Sequence, residues 1–181
     1  MPRYVALFRG INVGKAKRIA MADLGKLLEK LGYEDVKTLL NSGNAVFTGG
    51  AASTNKLAAG IRSAVAKKLG VDAAVIVKSA RDLEGILAGN ELGDVGPDHA
   101  RLLVAMTDDA KALAALAPFA QREWGDEKVH LGKHAAYVWC ANGILESPAL
   151  AVLLKALGPV CTTRNWATIN KIHALMAADR R

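Results

Sequence analysis

A basic segment directly after the first predicted strand is the strongest candidate for chemistry. Residues 9–18 have the sequence RGINVGKAKR, with four basic residues and no acid. Glycines let backbone amides approach an anion, and the helix predicted to follow adds a favourable dipole. We predict a phosphate-binding loop here, with a solvated basic loop as the alternative. Its candidate ligand-binding residues are Arg9, Gly10, Asn12, Gly14, Lys15, Lys17 and Arg18.

The same segment differs from the P-loop of ATPases and GTPases. Only three residues separate Gly10 from Gly14, one fewer than that motif requires. Ala16 also replaces the hydroxyl residue that would hold magnesium. The sequence therefore argues against a P-loop enzyme.

Two further polar segments carry candidate ligand-binding residues. Residues 41–44 are Asn-Ser-Gly-Asn, in which Ser42 and Asn44 could bind a ligand, although a hairpin turn alone accounts for this sequence. Ser42 lies outside a G-x-S-x-G elbow and has no adjoining His or acid, so it is not predicted to be a nucleophile. Arg164 and Asn165 lie within residues 162–168, where we predict a helix capped by Thr162 or Thr163.

The histidines and cysteines do not have the spacing of a metal site. A two-residue turn at Gly132-Lys133 would pair Leu131 with His134 and point His130 to the opposite face. The two cysteines are 21 residues apart and lack the short spacing of zinc and redox motifs. We predict no metal, no cofactor and reduced cysteines.

Composition sets the class of protein and favours anionic partners. The 181 residues are 51% hydrophobic and 23% charged, as in globular proteins. A net charge of +7 attracts anions such as a nucleotide or nucleic acid. No apolar run is long enough to span a membrane, and residues 1–8 do not resemble a signal peptide, so we expect a cytoplasmic protein without membrane contact.

Hydrophobic periodicity predicts an α+β fold made of two ferredoxin-like (α/β-plait) units, each an antiparallel sheet with helices on one face. We expect the first unit at residues 1–90 and the second at 91–181, with the boundary near a stretch rich in Gly, Pro and acids. In the second half we find no eighth strand, so that unit should be modified and end in helices. The elements predicted in the first half are strands at 4–9, 36–40, 45–48 and 71–77 and helices at 21–31 and 53–69.

The predicted topology brings two of the polar segments together. In a ferredoxin-like unit the first two strands run parallel, with the third antiparallel between them. The loop at residues 10–18 and the turn at 41–44 should therefore lie at the same end of the sheet. They would form one rim of a pocket.

Three segments taken together resemble a bacterial family catalogued as domain of unknown function 1697. They are ALFRGINVG at 6–14, NSGNAVF at 41–47 and TTRNWAT at 162–168, and they span most of the chain. The resemblance implies two ferredoxin-like units and a bacterial cytosolic setting, and it brings no activity or cofactor. This chain differs at Ala20, where the family pattern has proline, and at Asn41, where it has glutamine.

The residues favour binding of a phosphate-bearing ligand, either a nucleotide or a nucleic acid. Two other functions stay open: a small-molecule enzyme whose pocket combines the three motif segments, and a module that binds another protein. No general base is evident for an enzyme. An RNA-binding sheet would need aromatic side chains for stacking, and Tyr4, Phe8 and Phe47 are the only candidates on the expected strands.

Overall fold

The computed structural model describes residues 1–178 of the chain. These residues form two compact units. The first comprises Met1–Leu83 together with the segment from Ile172 onward, and the second comprises Glu84–Lys171. Each unit contains one four-stranded antiparallel sheet. The chain is therefore an α+β protein, as the sequence predicts.

The first unit has the ferredoxin-like order of elements. Its sheet order is β2-β3-β1-β4 and every neighbouring pair is antiparallel, so β1 and β2 run parallel with β3 between them. This is the topology expected from the sequence. The elements are β1 (Arg3–Phe8), α1 (Met21–Lys30), β2 (Glu34–Leu39), β3 (Asn44–Thr48), α2 (Thr54–Leu69) and β4 (Val75–Ser79).

The second unit repeats the same strand order. Its sheet has the order β6-β7-β5-β8, again with antiparallel neighbours. Short 3-10 helices cover His99–Arg101, Ile144–Glu146 and Gly158–Val160. The other elements after β4 are α3 (Ala80–Ala88), β5 (Leu102–Thr107), α4 (Ala110–Ala114), α5 (Ala117–Ala120), β6 (Lys128–Leu131), β7 (Ala136–Trp139), α6 (Pro148–Leu157), β8 (Cys161–Asn165) and α7 (Trp166–Ala177).

The expectation that the second sheet lacks its last strand is wrong. Residues Cys161–Asn165 form β8, which pairs with β5 from Cys161 opposite Thr107 to Asn165 opposite Leu103. Thr162 therefore lies in a strand and does not cap a helix. The cap of α7 is Asn165, whose Oδ1 accepts a hydrogen bond from the Thr168 amide at 2.8 Å. This strand has a polar sequence, so it lacks the apolar alternation by which strands are recognised.

The turn around the two histidines also differs from expectation. His130 pairs with Tyr137 and Leu131 with Ala136, and the Gly132 amide donates to the Ala135 carbonyl at 2.9 Å. The turn is therefore centred on Lys133-His134, one residue later than predicted. His130 stacks on Tyr137 with ring centroids 5.7 Å apart, and its Nδ1 is 3.6 Å from a Glu91 carboxylate oxygen. Within residues 1–178 no three His, Cys, Asp or Glu side chains cluster as metal ligands would.

The core of the first unit holds β1 under its two helices. Alternate β1 residues Tyr4, Ala6 and Phe8 are buried and pack in one cluster with Leu24 of α1 and Ile61 of α2. Burial of such apolar side chains provides the main stabilisation of the sheet-helix pair. The end of β1, where the basic segment begins, is therefore anchored in the core. In the described part of the chain, no helix is both long enough and apolar enough to cross a membrane.

Candidate functional site

The basic loop, residues 9–18, is anchored at both sides of the end of β1. The Phe8 amide donates to the Gly43 carbonyl at 2.9 Å, and the Arg9 amide donates to the Ala74 carbonyl at 2.9 Å. These bonds continue the pairing of β1 with β3 and with the chain before β4. The loop thus leaves the sheet from a fixed point.

Asn12 joins the basic loop to the hairpin turn at residues 41–44. Its Nδ2 donates to the Ile19 carbonyl at 2.8 Å and to the Asn41 carbonyl at 2.9 Å, and its Oδ1 accepts from the Ile19 amide at 2.8 Å. The prediction that the two segments are neighbours is confirmed. The Asn12 side chain holds the loop in shape, which leaves direct ligand contact to other groups.

The backbone of the basic loop is left-handed at four positions. The φ angles of Gly10, Asn12, Gly14 and Lys17 are +67°, +55°, +64° and +50°. The loop closes on itself through a 3.0 Å hydrogen bond from the Asn12 amide to the Lys17 carbonyl. Left-handed residues occur in the backbone nests that bind anions. Ile11 is buried below the loop and fixes it to the core.

The cationic side chains of the loop differ in exposure. Arg9 is half-buried, whereas Lys15, Lys17 and Arg18 are exposed. Arg18 Nη1 donates to the carbonyls of Asn12 at 3.4 Å and Gly14 at 3.3 Å, which places the guanidinium over the loop. Three exposed cations therefore project from an ordered backbone.

An ion pair near the loop was not anticipated from the sequence. Arg62 Nε and Nη2 donate to the two Asp72 carboxylate oxygens at 2.6 and 3.0 Å. The hydrogen bonds from Arg62 lower the pKa of Asp72, and the charge of Lys17 also contributes. Asp72 is thus a carboxylate close to the loop that already has a cationic partner. Arg62 and Asp72 are distant from the basic loop in the sequence. They come near it because the chain returns from α2 toward β4.

The N-terminus of α1 follows the loop and has no side-chain cap. Ala20 occupies the N-cap position in an extended conformation, and it cannot accept a hydrogen bond through its side chain. The first amide groups of a helix need partners from outside the helix. An anion beside the loop would also interact favourably with this end of the helix dipole.

The turn at residues 41–44 serves mainly to shape the hairpin. Asn44 is fully buried, and its Nδ2 donates to the Leu39 carbonyl at 2.7 Å and to Ser42 Oγ at 3.1 Å. Gly43 has a φ of +90°, and a Cβ there would lie only 2.5 Å from Ile11 Cδ1. Ser42 and Asn44 therefore hold the turn, and Gly43 permits its close approach to the basic loop.

The third candidate segment belongs to the second unit. Arg164 is only 7% exposed on β8, and its Nη1 donates to Thr162 Oγ1 at 2.8 Å and to the Thr163 carbonyl at 2.7 Å. Loss of hydration on burial lowers the pKa of Arg164 to about 10. Its neighbour Asn165 caps α7. Both residues therefore have a structural role.

The aromatic residues of the first sheet are part of the core. Tyr4 and Phe47 stack with ring centroids 5.6 Å apart, and Tyr33 lies 4.5 Å from Phe47. Tyr4, Phe8 and Phe47 all lie in the buried cluster beneath α1 and α2. They are not available to stack on the bases of an RNA.

Comparison with known proteins identifies a solved structure and a family that match this chain. A solved structure of similar fold is the conserved bacterial protein SP0830 from Streptococcus pneumoniae, which is 26% identical. The match covers 97% of this chain and 98% of that chain, with a TM-score of 0.74. Among curated proteins there is no significant match. A model of the family described as "Protein of unknown function (DUF1697)" matches residues 1–137. With both ferredoxin-like units and the family's sequence pattern present, this chain belongs to the DUF1697 family.

Proposed function

We propose that the protein binds a phosphate-bearing anionic ligand, a nucleotide or a nucleic acid, at the basic loop. The observation that carries this proposal is the position of Lys15, Lys17 and Arg18. These three exposed cations stand on a backbone clamped by Asn12, immediately before the uncapped N-terminus of α1. A fixed group of cations and backbone amides binds phosphate better than mobile surface charges do.

The charge around the loop supports an anionic ligand. The first acid in the chain is Asp23, so no carboxylate lies within the loop itself. Asp23 lines a groove between α1 and α2. Asp72, the acid near Lys17, is neutralised by its bidentate pair with Arg62. Because Arg62 is the main partner of Asp72 and Lys17 only a lesser one, the charge of Lys17 remains available to an anionic ligand.

The candidate residues divide into those that contact the ligand and those that position the loop. Lys15, Lys17 and Arg18 supply charge, and the Arg18 guanidinium is already oriented by two carbonyls. Gly10 and Gly14 contribute to the shape of the loop, because both have a left-handed backbone conformation. The loop is held in place by Asn12 and, through the adjoining turn, by Ser42 and Asn44.

The proposed recognition is of phosphate and not of bases. The first sheet has its aromatic side chains in the core, so base stacking on that sheet contributes nothing. Contacts to phosphate carry affinity without sequence information. We therefore expect binding of ATP or of oligonucleotides of any sequence, with a strong dependence on salt concentration.

The test compares two variants that lose the same amount of charge. One neutralises the loop by Lys15→Gln, Lys17→Gln and Arg18→Gln. The other neutralises three exposed lysines elsewhere by Lys56→Gln, Lys111→Gln and Lys155→Gln. Each variant has a net charge of 7 − 3 = +4. Circular dichroism would first establish that both variants are folded.

Fluorescence titration with labelled ATP and with a labelled single-stranded oligonucleotide then separates local from diffuse attraction. Loss of the loop cations should weaken binding and reduce the slope of log K against log salt by about 2 for the oligonucleotide, or about 0.7 per lost phosphate contact. The control variant should bind like the unaltered protein. Equal losses in both variants would mean that net charge is responsible. If the unaltered protein binds neither ligand at low salt, the proposal fails.

A further inference from the structure

A groove separates α1 from α2 in the first unit, and no residue of the basic loop lines it. Its volume is about 530 Å³. Its lining residues come from the last two turns of each helix and from Asp23, and none is aromatic. They are Asp23, Lys26, Leu27, Lys30, Leu31, Ala64, Lys67, Lys68 and Leu69.

Lysines line both walls of the groove. Lys26 and Lys30 come from α1, Lys67 and Lys68 come from α2, and all four are exposed. None of the four forms a salt bridge with any residue in the range 1–178. With Asp23 as its single acid, the groove carries a net charge of 4 − 1 = +3.

Helix stability accounts for part of this arrangement. Lys30, Lys67 and Lys68 lie in last turns, where a cation interacts favourably with the helix dipole. Lys26 lies in the middle of α1, where Asp23 and Glu29, each three residues away, offset its repulsion from Lys30, four residues further on. An acidic group seated in the groove would interact favourably with all four lysines, because Asp23 is the one acid among the lining residues.

The floor of the groove is apolar. Leu27 is 8% exposed and lies at its base, while Leu31 is 43% exposed and open to a partner. Ala64 and Leu69 are half-buried on the α2 side. An occupant that uses the whole groove must therefore present apolar side chains flanked by negative charge.

We propose that this groove docks an acidic amphipathic helix of a partner protein. Apolar side chains at i, i+3, i+4 and i+7 of that helix would cover Leu27, Leu31 and Leu69, since this is how amphipathic helices occupy grooves. Carboxylates on either side of its apolar stripe would pair with Lys26 and Lys30 on one wall and with the α2 lysines on the other. The proposal is independent of phosphate binding, because no residue of the basic loop lines the groove.

The shape of the groove favours a helix over other anionic partners. A nucleic acid would leave the leucine floor unused, and no aromatic side chain is there for its bases to stack on. Binding to a membrane surface buries apolar side chains in the lipid. Leu27 is recessed and cannot do so, which leaves Leu31 as the one exposed leucine of the groove.

The test uses the full chain and a labelled 16-residue peptide with leucines at i, i+3, i+4 and i+7 and glutamates at most other positions. A scrambled peptide of the same composition is its control. The groove variant carries Lys26→Gln, Lys30→Gln, Lys67→Gln and Lys68→Gln, and a second variant carries Leu31→Gln. The matched control variant carries Lys56→Gln, Lys111→Gln, Lys155→Gln and Lys171→Gln, four exposed lysines outside the groove.

Fluorescence anisotropy measures binding, and circular dichroism checks that each variant is folded. We expect saturable binding of the amphipathic peptide, weakened about tenfold or more by the groove variant, because surface ion pairs each contribute modestly and add up. Leu31→Gln should weaken binding although it leaves the net charge unchanged. The lysine control variant tests whether net charge alone is responsible, and the scrambled peptide tests whether the amphipathic pattern is required. The proposal is overturned by absence of saturable binding, by equal binding of both peptides, or by equal losses in the two lysine variants. Binding of oligonucleotides or phosphatidylserine vesicles that depends on these four lysines, without peptide binding, would also overturn it.

Discussion

Asn12 Nδ2 donates to the Asn41 carbonyl oxygen at 2.9 Å, which links two segments that are 29 residues apart. The same amide group bonds both the amide and the carbonyl of Ile19. One side chain therefore ties the start of α1, the basic loop and the β2–β3 turn together. The geometry of the candidate site therefore depends on this residue.

Replacing Asn12 should cost stability and ligand affinity together. Asn12→Gly keeps the left-handed backbone but removes three hydrogen bonds, so we expect the free energy of unfolding to fall by about 1–3 kcal/mol. Urea denaturation measures this change. Asn170→Ala is the control, because it removes one exposed hydrogen bond on α7 and should change stability by less than about 0.5 kcal/mol. A stable Asn12→Gly protein would mean that the loop is held by other contacts.

A side chain at Gly43 should displace the turn from the basic loop. Gly43→Ala places a methyl group 2.5 Å from Ile11 Cδ1 and 2.8 Å from Phe8 Cβ, at a φ of +90°. We expect a loss of about 1–3 kcal/mol in the free energy of unfolding. Gly60→Ala in α2 has open space for the methyl group and should instead stabilise the protein by about 0.5–1 kcal/mol. Thermal denaturation of the two variants should give opposite shifts, and a shared direction would contradict the argument.

Ala20 should accept proline. Its φ is −69°, close to the angle that proline imposes, and it is the N-cap residue of α1. Its amide donates no hydrogen bond within residues 1–178. Ala20→Pro should therefore raise the free energy of unfolding by about 0.4–1 kcal/mol, since it restricts the unfolded chain.

A proline inside a helix provides the contrasting control. Ala59 is exposed in the interior of α2. Ala59→Pro removes a helix hydrogen bond and should cost about 3 kcal/mol or more. Guanidinium titrations of both variants measure the free energy of unfolding. Destabilisation by Ala20→Pro would show that the start of α1 needs a backbone conformation at residue 20 that proline does not allow.

Stability at high pH should depend on Tyr137. Burial raises the pKa of Tyr137 from 10.0 to about 12, and its hydroxyl donates to the Ile86 carbonyl. In the unfolded chain the phenol ionises first, so its stabilising contribution is complete below pH 10 and is lost as the pH rises through 12. The unaltered protein should lose about 1–2 kcal/mol over this range relative to Tyr137→Phe, after allowance for solvent screening.

Urea titrations of the two proteins at several pH values from 8 upward would measure this difference. Lysine ionisation affects both proteins equally and cancels. At neutral pH the variant should be less stable by about 1 kcal/mol because it lacks the hydrogen bond. Parallel curves for the two proteins at every pH would show that Tyr137 ionises at its ordinary pKa.

Local patterns in the sequence predicted the order of strands and helices from β1 to β4, although β4 covers Val75–Ser79 where a strand at 71–77 was expected. Leu24 and Leu28 repeat at helical spacing and lie in the core, and Ser53 caps α2 by accepting a hydrogen bond from Lys56 at 3.3 Å. The strand order then placed the basic loop beside the 41–44 turn, which the Asn12 bond confirms. These features are local or follow from connection rules, so a single sequence contains them.

Other features required the tertiary structure because their energy comes from distant partners. The strand β8 is polar and forms because β5 offers a row of backbone donors and acceptors. The register of β6 on β7 shifts the turn by one residue, from Gly132-Lys133 to Lys133-His134.

The sequence by itself determined the charge and composition of the basic loop, the helix and strand order of the first unit, and hence which loops meet. Only the tertiary structure decided what each polar side chain does. Asn12 and Asn44 proved to be loop supports because their amides lie within reach of backbone carbonyls that are distant in sequence. Hydrogen-bonding partners depend on positions in space, and residue type alone does not specify them.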